Sequence, residues 1–337
     1  MEQCDTPLPL HPHHLPQLVV SGAELRARGV TPARAAQQCR AGGPWQVLLP
    51  GVYLLRSGPA TGEELLRAAL LYAGRPVVPA QRQNAATPYG EAMVTGLAAL
   101  ALHGFSGAPP LTALDVIDVI VPRTRRLRST GCVRLVRSHV LPCAEEVAGV
   151  PVAPAARALA DAVARLTDDP QRVRLLLTEA VRHGFCEPAA VVRELNDARL
   201  LNRPHVMDAV DSLLAEGRAL AEGRLYELVR ANSLPEPLWN VDLRLPGGPH
   251  LGGIDAYWPD QAVAVELDTR APRHDEDALW SEYAHKRDIL ERLGITVVHI
   301  TPRKLRDAPE QQAVVVRTAL MAAADREPAA YVVVLPR

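Results

Sequence analysis

Three carboxylates, Asp255, Glu266 and Asp268, follow one another closely in the sequence. Asp255 lies in one short apolar run, and Glu266 and Asp268 end the next run, with a turn at Pro259-Asp260 between them. This pattern predicts two short adjacent strands. Residues two apart on a strand point to the same face, so we expect Glu266 and Asp268 to project together on the strand beside Asp255.

Three acids that share one face repel one another, and the arrangement is costly unless a cation neutralises it. Carboxylate oxygens together with a backbone carbonyl, that of Leu267, make a hard donor set suited to Mg²⁺ or Mn²⁺. An ion of this kind activates water and stabilises the charge that develops during phosphodiester hydrolysis. The alternative is that the acids end strands and pair with arginines, and the sequence leaves both interpretations open.

The helices and strands predicted around the three acids would position their side chains. A helix over 276–293 connects the acid-bearing strands to a further apolar strand, which predicts a βαβ crossover and parallel pairing. The other predicted elements of this part of the chain are a helix over 219–231, a strand over 239–245, a helix near 310–324 and an edge strand over 331–335.

These residues and this order of elements resemble the PD-(D/E)XK nuclease superfamily, most closely the branch similar to very-short-patch-repair endonucleases. The likeness covers about residues 217–310. It implies a divalent ion on Asp255 and Glu266, with Asp268 as a further ligand or an orienting group. It also implies an acid on the preceding helix, here Glu222, which holds a metal-bound water, and a histidine that acts as general acid or base, here His274.

The chain departs from that family at two positions. Asp268 occupies the place of the superfamily lysine, and Thr269 occupies the place of the glycine that follows the second acid. The chain has two lysines, Lys286 and Lys304. A catalytic lysine displaced onto the helix can therefore only be Lys286, for which the alternative is a solvated helix residue.

Length and charge bound the architecture. With 337 residues and 48% hydrophobic content, we expect a globular protein of two or three domains with ordinary cores. The net charge is −1, so no global field attracts polyanions. Residues 1–150 hold 14 arginines against 10 acids, a net charge of +4, and the remainder holds 23 basic against 28 acidic residues, a net charge of −5.

The cysteines and the N-terminus indicate a cytoplasmic protein. The five cysteines are scattered without a CxxC pair, which argues against zinc fingers and against a disulfide framework. No signal peptide and no membrane span is expected, because no apolar run approaches the roughly 18 residues that a span needs. Residues 1–17 are rich in proline and histidine and are predicted to be a disordered lead.

Residues 18–57 carry the pattern of a winged helix-turn-helix. Ser21 and Thr31 are placed to cap two short helices, the second running to about residue 41, and a two-stranded hairpin follows. In such a domain the second helix usually enters the major groove of duplex DNA. The side chains available for bases and phosphates are those of Arg34, Gln37, Gln38 and Arg40. The alternative is a small helical subdomain that contacts only its own chain.

Residues 18–200 resemble the AbiEi family of type IV antitoxins. The segments that carry the likeness are Gly51–Tyr53, a helix over 91–102, a strand over 115–121, Arg123–Arg128 and Val150–Asp161. It implies a winged-helix repressor with a mixed α/β second domain, here 58–215, before the nuclease-like domain at 216–337. Ala153 and Ala158 stand where the family usually has threonine.

A cluster of arginines follows the strand over 115–121. Four guanidiniums within six residues, those of Arg123, Arg125, Arg126 and Arg128, form a candidate phosphate clamp. The alternative for these four residues is a solvated, disordered loop.

Two functions from different classes therefore compete for this multidomain α/β protein. One is a metal-dependent DNA endonuclease delivered by a winged helix. The other is a DNA-binding regulator or antitoxin without enzymatic activity, whose C-terminal domain keeps the nuclease fold for binding. Double-stranded DNA is the expected partner in both. A third possibility is an antitoxin that acts by protein interaction with little DNA affinity, which needs a partner toxin. The sequence does not predict the oligomeric state.

Overall fold

The computed structural model describes residues 18–75, 88–269, 276–323 and 332–337, with 276–283 described without their side chains. Within these residues the chain forms eleven α-helices and three β-sheets, which confirms the predicted α/β class. The chain divides into two compact units, residues 1–162 and 163–337. The lead predicted at 1–17 lies outside the described residues.

The first unit begins with two short helices and a three-stranded sheet. Their bounds are β1 (Val19–Ser21), α1 (Gly22–Ala27), α2 (Pro32–Gln38), β2 (Gln46–Leu49) and β3 (Val52–Leu54). Ser21 and Glu24 cap α1 reciprocally, and Thr31 caps α2 ahead of a proline. Caps satisfy amide groups that helix ends leave without partners, so they set where the helices begin. The strands pair antiparallel in the order β1-β3-β2.

A five-stranded mixed sheet and its helices complete the first unit. The elements are α3 (Gly62–Gly74), β4 (Met93–Thr95), α4 (Gly96–Leu102), β5 (Ile117–Pro122), β6 (Val133–Ser138), β7 (Glu145–Val147), β8 (Val150–Val152) and α5 (Ala155–Arg165), whose last three residues belong to the second unit. The strand order is β6-β5-β4-β8-β7. The single helix predicted over 91–102 is wrong in its first half, because the buried run β4 joins the sheet and Gly96, at φ 62°, starts the helix after it.

The second unit places helices on both faces of another five-stranded sheet. Its elements are α6 (Pro170–Arg182), α7 (Pro188–Asp197), α8 (Pro204–Ala231), β9 (Leu238–Arg244), β10 (His250–Trp258), β11 (Val263–Leu267), α9 (Glu276–Arg292), β12 (Thr296–Ile300), α10 (Pro302–Asp307), α11 (Pro309–Ala323) and β13 (Val333–Pro336). The strand order is β12-β11-β10-β9-β13. β11 and β12 pair in parallel across α9, as the predicted crossover requires, and the other pairs are antiparallel.

Two apolar cores fix this sheet between its helices. On one face, Trp258 and Val265 pack with residues of α8 and α11. On the other face, Tyr257 and Ala264 pack with Leu290 of α9. The alternation of buried residues along β10 and β11 therefore gives each strand one face toward α8 and one toward α9.

The long helix α8 runs through the position where a boundary at 215/216 was expected. It contains 28 residues, and its second half packs on the sheet that carries the acids. Within the described residues, no helix is both long enough and apolar enough to cross a bilayer.

Candidate active site

The β10–β11 hairpin brings Asp255 and Glu266 next to each other. The antiparallel register runs from Trp258 opposite Val263 to Ala256 opposite Val265. Asp255 and Glu266 come next along the two strands, one residue beyond the last pair of this ladder. Both are buried, with side chains 7% and 8% exposed. Two carboxylates withdrawn from water side by side are costly, so their partners decide what the site can do.

Asp255 has a partner for each carboxylate oxygen. Its Oδ1 accepts a hydrogen bond from Arg218 Nη2 at 2.8 Å, and its Oδ2 accepts the amide N–H of Leu267 at 2.6 Å. Burial raises the pKa of Asp255, and the nearby carboxylates of Glu222 and Glu266 add to that rise. The Leu267 amide and the Arg218 guanidinium act in the opposite direction, and the pKa remains above its ordinary value.

Glu266 is bound by the lysine of α9. Lys286 Nζ donates to Glu266 Oε1 at 2.7 Å and to the carbonyl of Gly253 at 2.9 Å. The lysine passes beside Gly252, where the register of β10 shifts and φ is 115°. A Cβ at Gly252 would lie 2.7 Å from Lys286 Cε. The sequence therefore places a glycine where the lysine side chain crosses the strand.

Glu222 joins the same group through an arginine that the sequence motifs did not single out. On α8, Arg218 Nε donates to Glu222 Oε1 at 2.8 Å while the other arm of the guanidinium holds Asp255. The i,i+4 spacing of Arg218 and Glu222 was visible in the sequence and predicts a helix ion pair. The contact with Asp255 was not visible, because it depends on how α8 packs against the sheet.

A histidine on β12 was not predicted either. His299 lies opposite Glu266 in the parallel ladder, and its Nδ1 is 3.7 Å from Glu266 Oε2. The predicted crossover could have indicated this histidine, because parallel pairing aligns residues of β12 with those of β11. The histidine that the family resemblance indicated, His274, lies outside the described residues.

Asp268 does not join the pair in the way that the sequence predicted. β11 ends at Leu267, and Asp268 lies one residue beyond it with an exposed side chain. Its amide donates to the carbonyl of Ile300. Strand alternation therefore stops before Asp268. Within the part of the chain that the structure describes, no cluster of three or more acid, histidine or cysteine side chains is arranged to hold a metal ion.

The remaining donor set still fits a magnesium-like ion. Mg²⁺ in proteins commonly takes one or two carboxylates and keeps several waters, so a third protein carboxylate is not required. Asp255 and Glu266 supply two carboxylates, and the Leu267 carbonyl, which accepts the amide N–H of Thr269 at 3.0 Å, has a second lone pair to offer. In this part of the described structure, Asp255, Glu266 and Glu222 carry three negative charges, and their cationic partners Arg218 and Lys286 carry two positive charges. This set of five side chains therefore has one negative charge in excess.

The second candidate surface is the outer side of α2 in the first unit. Ala35 is the one residue of α2 whose side chain is buried. Arg34, Gln37 and Arg40, which follows the helix, are exposed, and Gln38 is partly exposed. All four predicted side chains are therefore accessible, as contact with bases and phosphates requires.

Arg125 does not belong to the predicted phosphate clamp. Its guanidinium turns inward and donates to the backbone carbonyls of Ala73, at 2.7 Å, and Arg75. Burial lowers the pKa of Arg125, as expected for a cation partly withdrawn from water. The sequence did not reveal this, because the accepting carbonyls lie about fifty residues away at the end of α3.

The other three arginines of the segment remain at the surface. Arg126 and Arg128 are exposed, and Arg123, also exposed, contacts His139. The backbone of the segment is held from both sides, because Arg137 Nη2 donates to Leu127 O at 2.5 Å and Tyr72 Oη donates to Arg128 O at 2.7 Å. The segment is therefore held in place, and the solvated-surface alternative stays open for Arg123, Arg126 and Arg128.

The arginine segment is connected to the β2–β3 hairpin of the first unit. Arg75, whose carbonyl binds Arg125, reaches the carbonyl of Pro50 in the β2–β3 turn at 3.4 Å. Gly131, just beyond the segment, approaches Leu49 of β2. These contacts tie the segment to the β2–β3 hairpin.

Comparison with protein-family models and with curated proteins gave no match for this chain. The resemblances to PD-(D/E)XK nucleases and to AbiEi antitoxins therefore stay predictions that rest on the residues named above.

Proposed function

We propose that this protein binds duplex DNA through its winged helix and hydrolyses phosphodiester bonds with a divalent ion held by Asp255 and Glu266. The observation that carries the proposal is the buried carboxylate pair on adjacent strands, with Lys286 Nζ 2.7 Å from Glu266. Acids are withdrawn from water only where something offsets the cost, and an excess of negative charge invites a cation. The order of hairpin, crossover helix and parallel strand also agrees with the nuclease resemblance.

Each residue of the site has a role in this proposal. Asp255 and Glu266 hold the ion, which supplies an activated water and neutralises charge on the phosphoryl group. Lys286 presents a cation beside Glu266, where a substrate phosphate gains a charge-assisted hydrogen bond. Glu222 orients water from the side of α8.

A histidine supplies the proton transfer. Imidazole exchanges protons near neutral pH and therefore suits a general acid or base. His274 is the residue implied by the resemblance, and His299, 3.7 Å from Glu266, is a second candidate. A comparison of His274→Ala with His299→Ala separates the two, since only the residue that transfers the proton changes the pH profile of cleavage.

The DNA is held by the first unit in this proposal. Arg34, Gln37, Gln38 and Arg40 face the groove and its phosphates, and Arg126 and Arg128 bind the backbone beside the wing. A cytoplasmic location, where duplex DNA is available, is part of the same proposal.

A second candidate function follows from one specific observation. Arg218 and Lys286 each already bind one of the two buried acids, so these two acids have cationic partners without a metal ion. The protein would then be a winged-helix repressor or antitoxin, with a partner toxin as in the AbiEi family. This function requires that the protein bind DNA and that added Mg²⁺ or Mn²⁺ produce no phosphodiester cleavage.

Incubation of supercoiled plasmid with the full chain distinguishes the two functions. We expect nicked or linear product with Mg²⁺ or Mn²⁺, none with EDTA, and loss of product in Asp255→Asn. The matched control is Asp260→Asn, which changes an exposed acid in the turn of the same hairpin. Cleavage by Asp255→Asn at the parental rate, or no cleavage by the parent with either ion, would refute the nuclease function and leave the regulator.

A further inference from the structure

Arg218 binds the carboxylate of Asp255, which the proposed divalent ion would also have to bind. One arm of its guanidinium holds Asp255 Oδ1 at 2.8 Å, and its Nε holds Glu222 at 2.8 Å. The other oxygen of Asp255 is taken by the Leu267 amide at 2.6 Å. Each oxygen of Asp255 therefore already accepts a hydrogen bond.

The two cations of the site differ in how firmly they are held. Lys286 is 17% exposed and is fixed by a backbone carbonyl in addition to Glu266. Arg218 is 40% exposed, and the carboxylates of Asp255 and Glu222 hold it. Its i,i+4 partner Glu222 retains a contact for the guanidinium once the bond to Asp255 is broken. A divalent ion therefore displaces Arg218 at a lower free-energy cost than Lys286.

We propose that Arg218 is the resident counter-ion of Asp255 and that a divalent ion binds only as this guanidinium leaves. Arg218 then sets the concentration of divalent ion at which the site fills. The inference rests on the metal site of the proposed function and adds its regulation. Since the guanidinium and the ion compete for one carboxylate, removal of the arginine must tighten ion binding.

Titration calorimetry of the full chain with MnCl₂ tests this. We expect Arg218→Gln to bind Mn²⁺ roughly tenfold more tightly than the parent, within the range of about 5- to 150-fold that such coupling spans. Arg218→Lys keeps a competing cation and should stay closer to the parent than Arg218→Gln does. The matched control is Arg230→Gln, an exposed arginine farther along α8, which should bind as the parent does.

The site of binding is identified by a second substitution. Asp255→Asn combined with Arg218→Gln should abolish the tight Mn²⁺ binding, which separates this site from adventitious binding at the histidines of residues 11–14. If Arg218→Gln is too unstable for calorimetry, its thermal midpoint should rise with Mn²⁺ more steeply than that of the parent, because a ligand stabilises the state that binds it.

Each outcome decides between the inference and the function on which it rests. Equal or weaker Mn²⁺ binding by Arg218→Gln, or a thermal midpoint that Mn²⁺ leaves unchanged, overturns the inference even where the parent cleaves DNA. Tight binding by Arg218→Gln together with no cleavage by the parent supports the inference and removes the nuclease function. Absence of Mn²⁺ binding by every variant overturns the inference, and the plasmid assay then decides the function separately.

Discussion

Gly252→Ala tests the contact through which Lys286 reaches Glu266. Gly252 lies at the bulge of β10 with φ 115°, in a region that residues with a Cβ rarely adopt. An added methyl group would lie 2.7 Å from Lys286 Cε and 3.2 Å from its Nζ, so the lysine would also have to move.

The size of the effect follows from these two consequences. A residue forced into such backbone angles costs about 1–3 kcal/mol. Movement of the ammonium group leaves the buried carboxylate of Glu266 without its cation, which adds about 1–3 kcal/mol. We therefore expect the free energy of unfolding of the second unit to fall by roughly 2–6 kcal/mol in Gly252→Ala.

Urea denaturation followed by tryptophan fluorescence measures this change, since Trp258 is buried in the second unit. Gly223→Ala is the matched control, because Gly223 lies exposed inside α8 with no atom within 4 Å of an added Cβ. It should stabilise the protein by about 0.5–1 kcal/mol.

A double-mutant cycle with Lys286→Ala separates the two contributions. In the Lys286→Ala background, Gly252→Ala should cost only the backbone contribution, because the lysine that it displaces is absent. An unchanged urea midpoint for Gly252→Ala would refute the reasoning, and an equal cost in both backgrounds would refute the part that concerns Lys286.

Three further predictions concern the pH dependence of stability, the interior position of Arg125 and DNA binding. Burial raises the pKa of Asp255 in the folded protein above its value in the unfolded chain. The folded protein therefore keeps this proton to a higher pH. The free energy of unfolding then falls as the pH rises from the pKa of the unfolded chain to that of the folded protein. Asp255→Asn should remove that fall in urea midpoints measured from about pH 4 to pH 7, and an identical pH dependence would contradict this. Arg125→Ala should destabilise the first unit by about 1–3 kcal/mol and leave the salt dependence of DNA binding unchanged. Arg34→Ala and Arg128→Ala should each lower the slope of log affinity against log salt by about 0.9 for each phosphate that the variant no longer neutralises, which mobility shifts at several salt concentrations measure. Equal slopes for all three arginine variants would contradict the assignment of Arg125 to the interior.

Local pattern was enough to predict the hairpin that carries the acids. Two apolar runs around a Pro259-Asp260 turn correctly predicted two adjacent strands, which pair antiparallel, and the helix that follows correctly predicted parallel pairing of β11 with β12. These features depend on residues near one another in sequence, where turn chemistry and hydrophobic pattern act together.

Side-chain partners were less predictable, since they depend on packing between distant elements. Arg125 looked like its neighbours in sequence, but carbonyls at the end of α3 draw it inward. Arg218 looked like half of a helix ion pair, yet it also binds an acid on β10, 37 residues away. Asp268 shows the limit of alternation, which holds only while the strand continues.

The segment at Met93–Thr95 was predicted as helix for a related reason. It is followed directly by an alanine- and leucine-rich helix, and a local pattern extends that helix backward. The partners that make it a strand, β5 and β8, come later in the sequence. Tertiary pairing therefore overrides the local preference for helix.

The central claim is that the carboxylate pair is a metal site, and anomalous scattering from crystals of the full chain grown with MnCl₂ tests it most directly. We predict a manganese peak bonded to carboxylate oxygens of Asp255 and Glu266, with the guanidinium of Arg218 displaced from Asp255. A map without a peak at these residues, in which Arg218 and Asp255 remain hydrogen-bonded at saturating Mn²⁺, would contradict the claim.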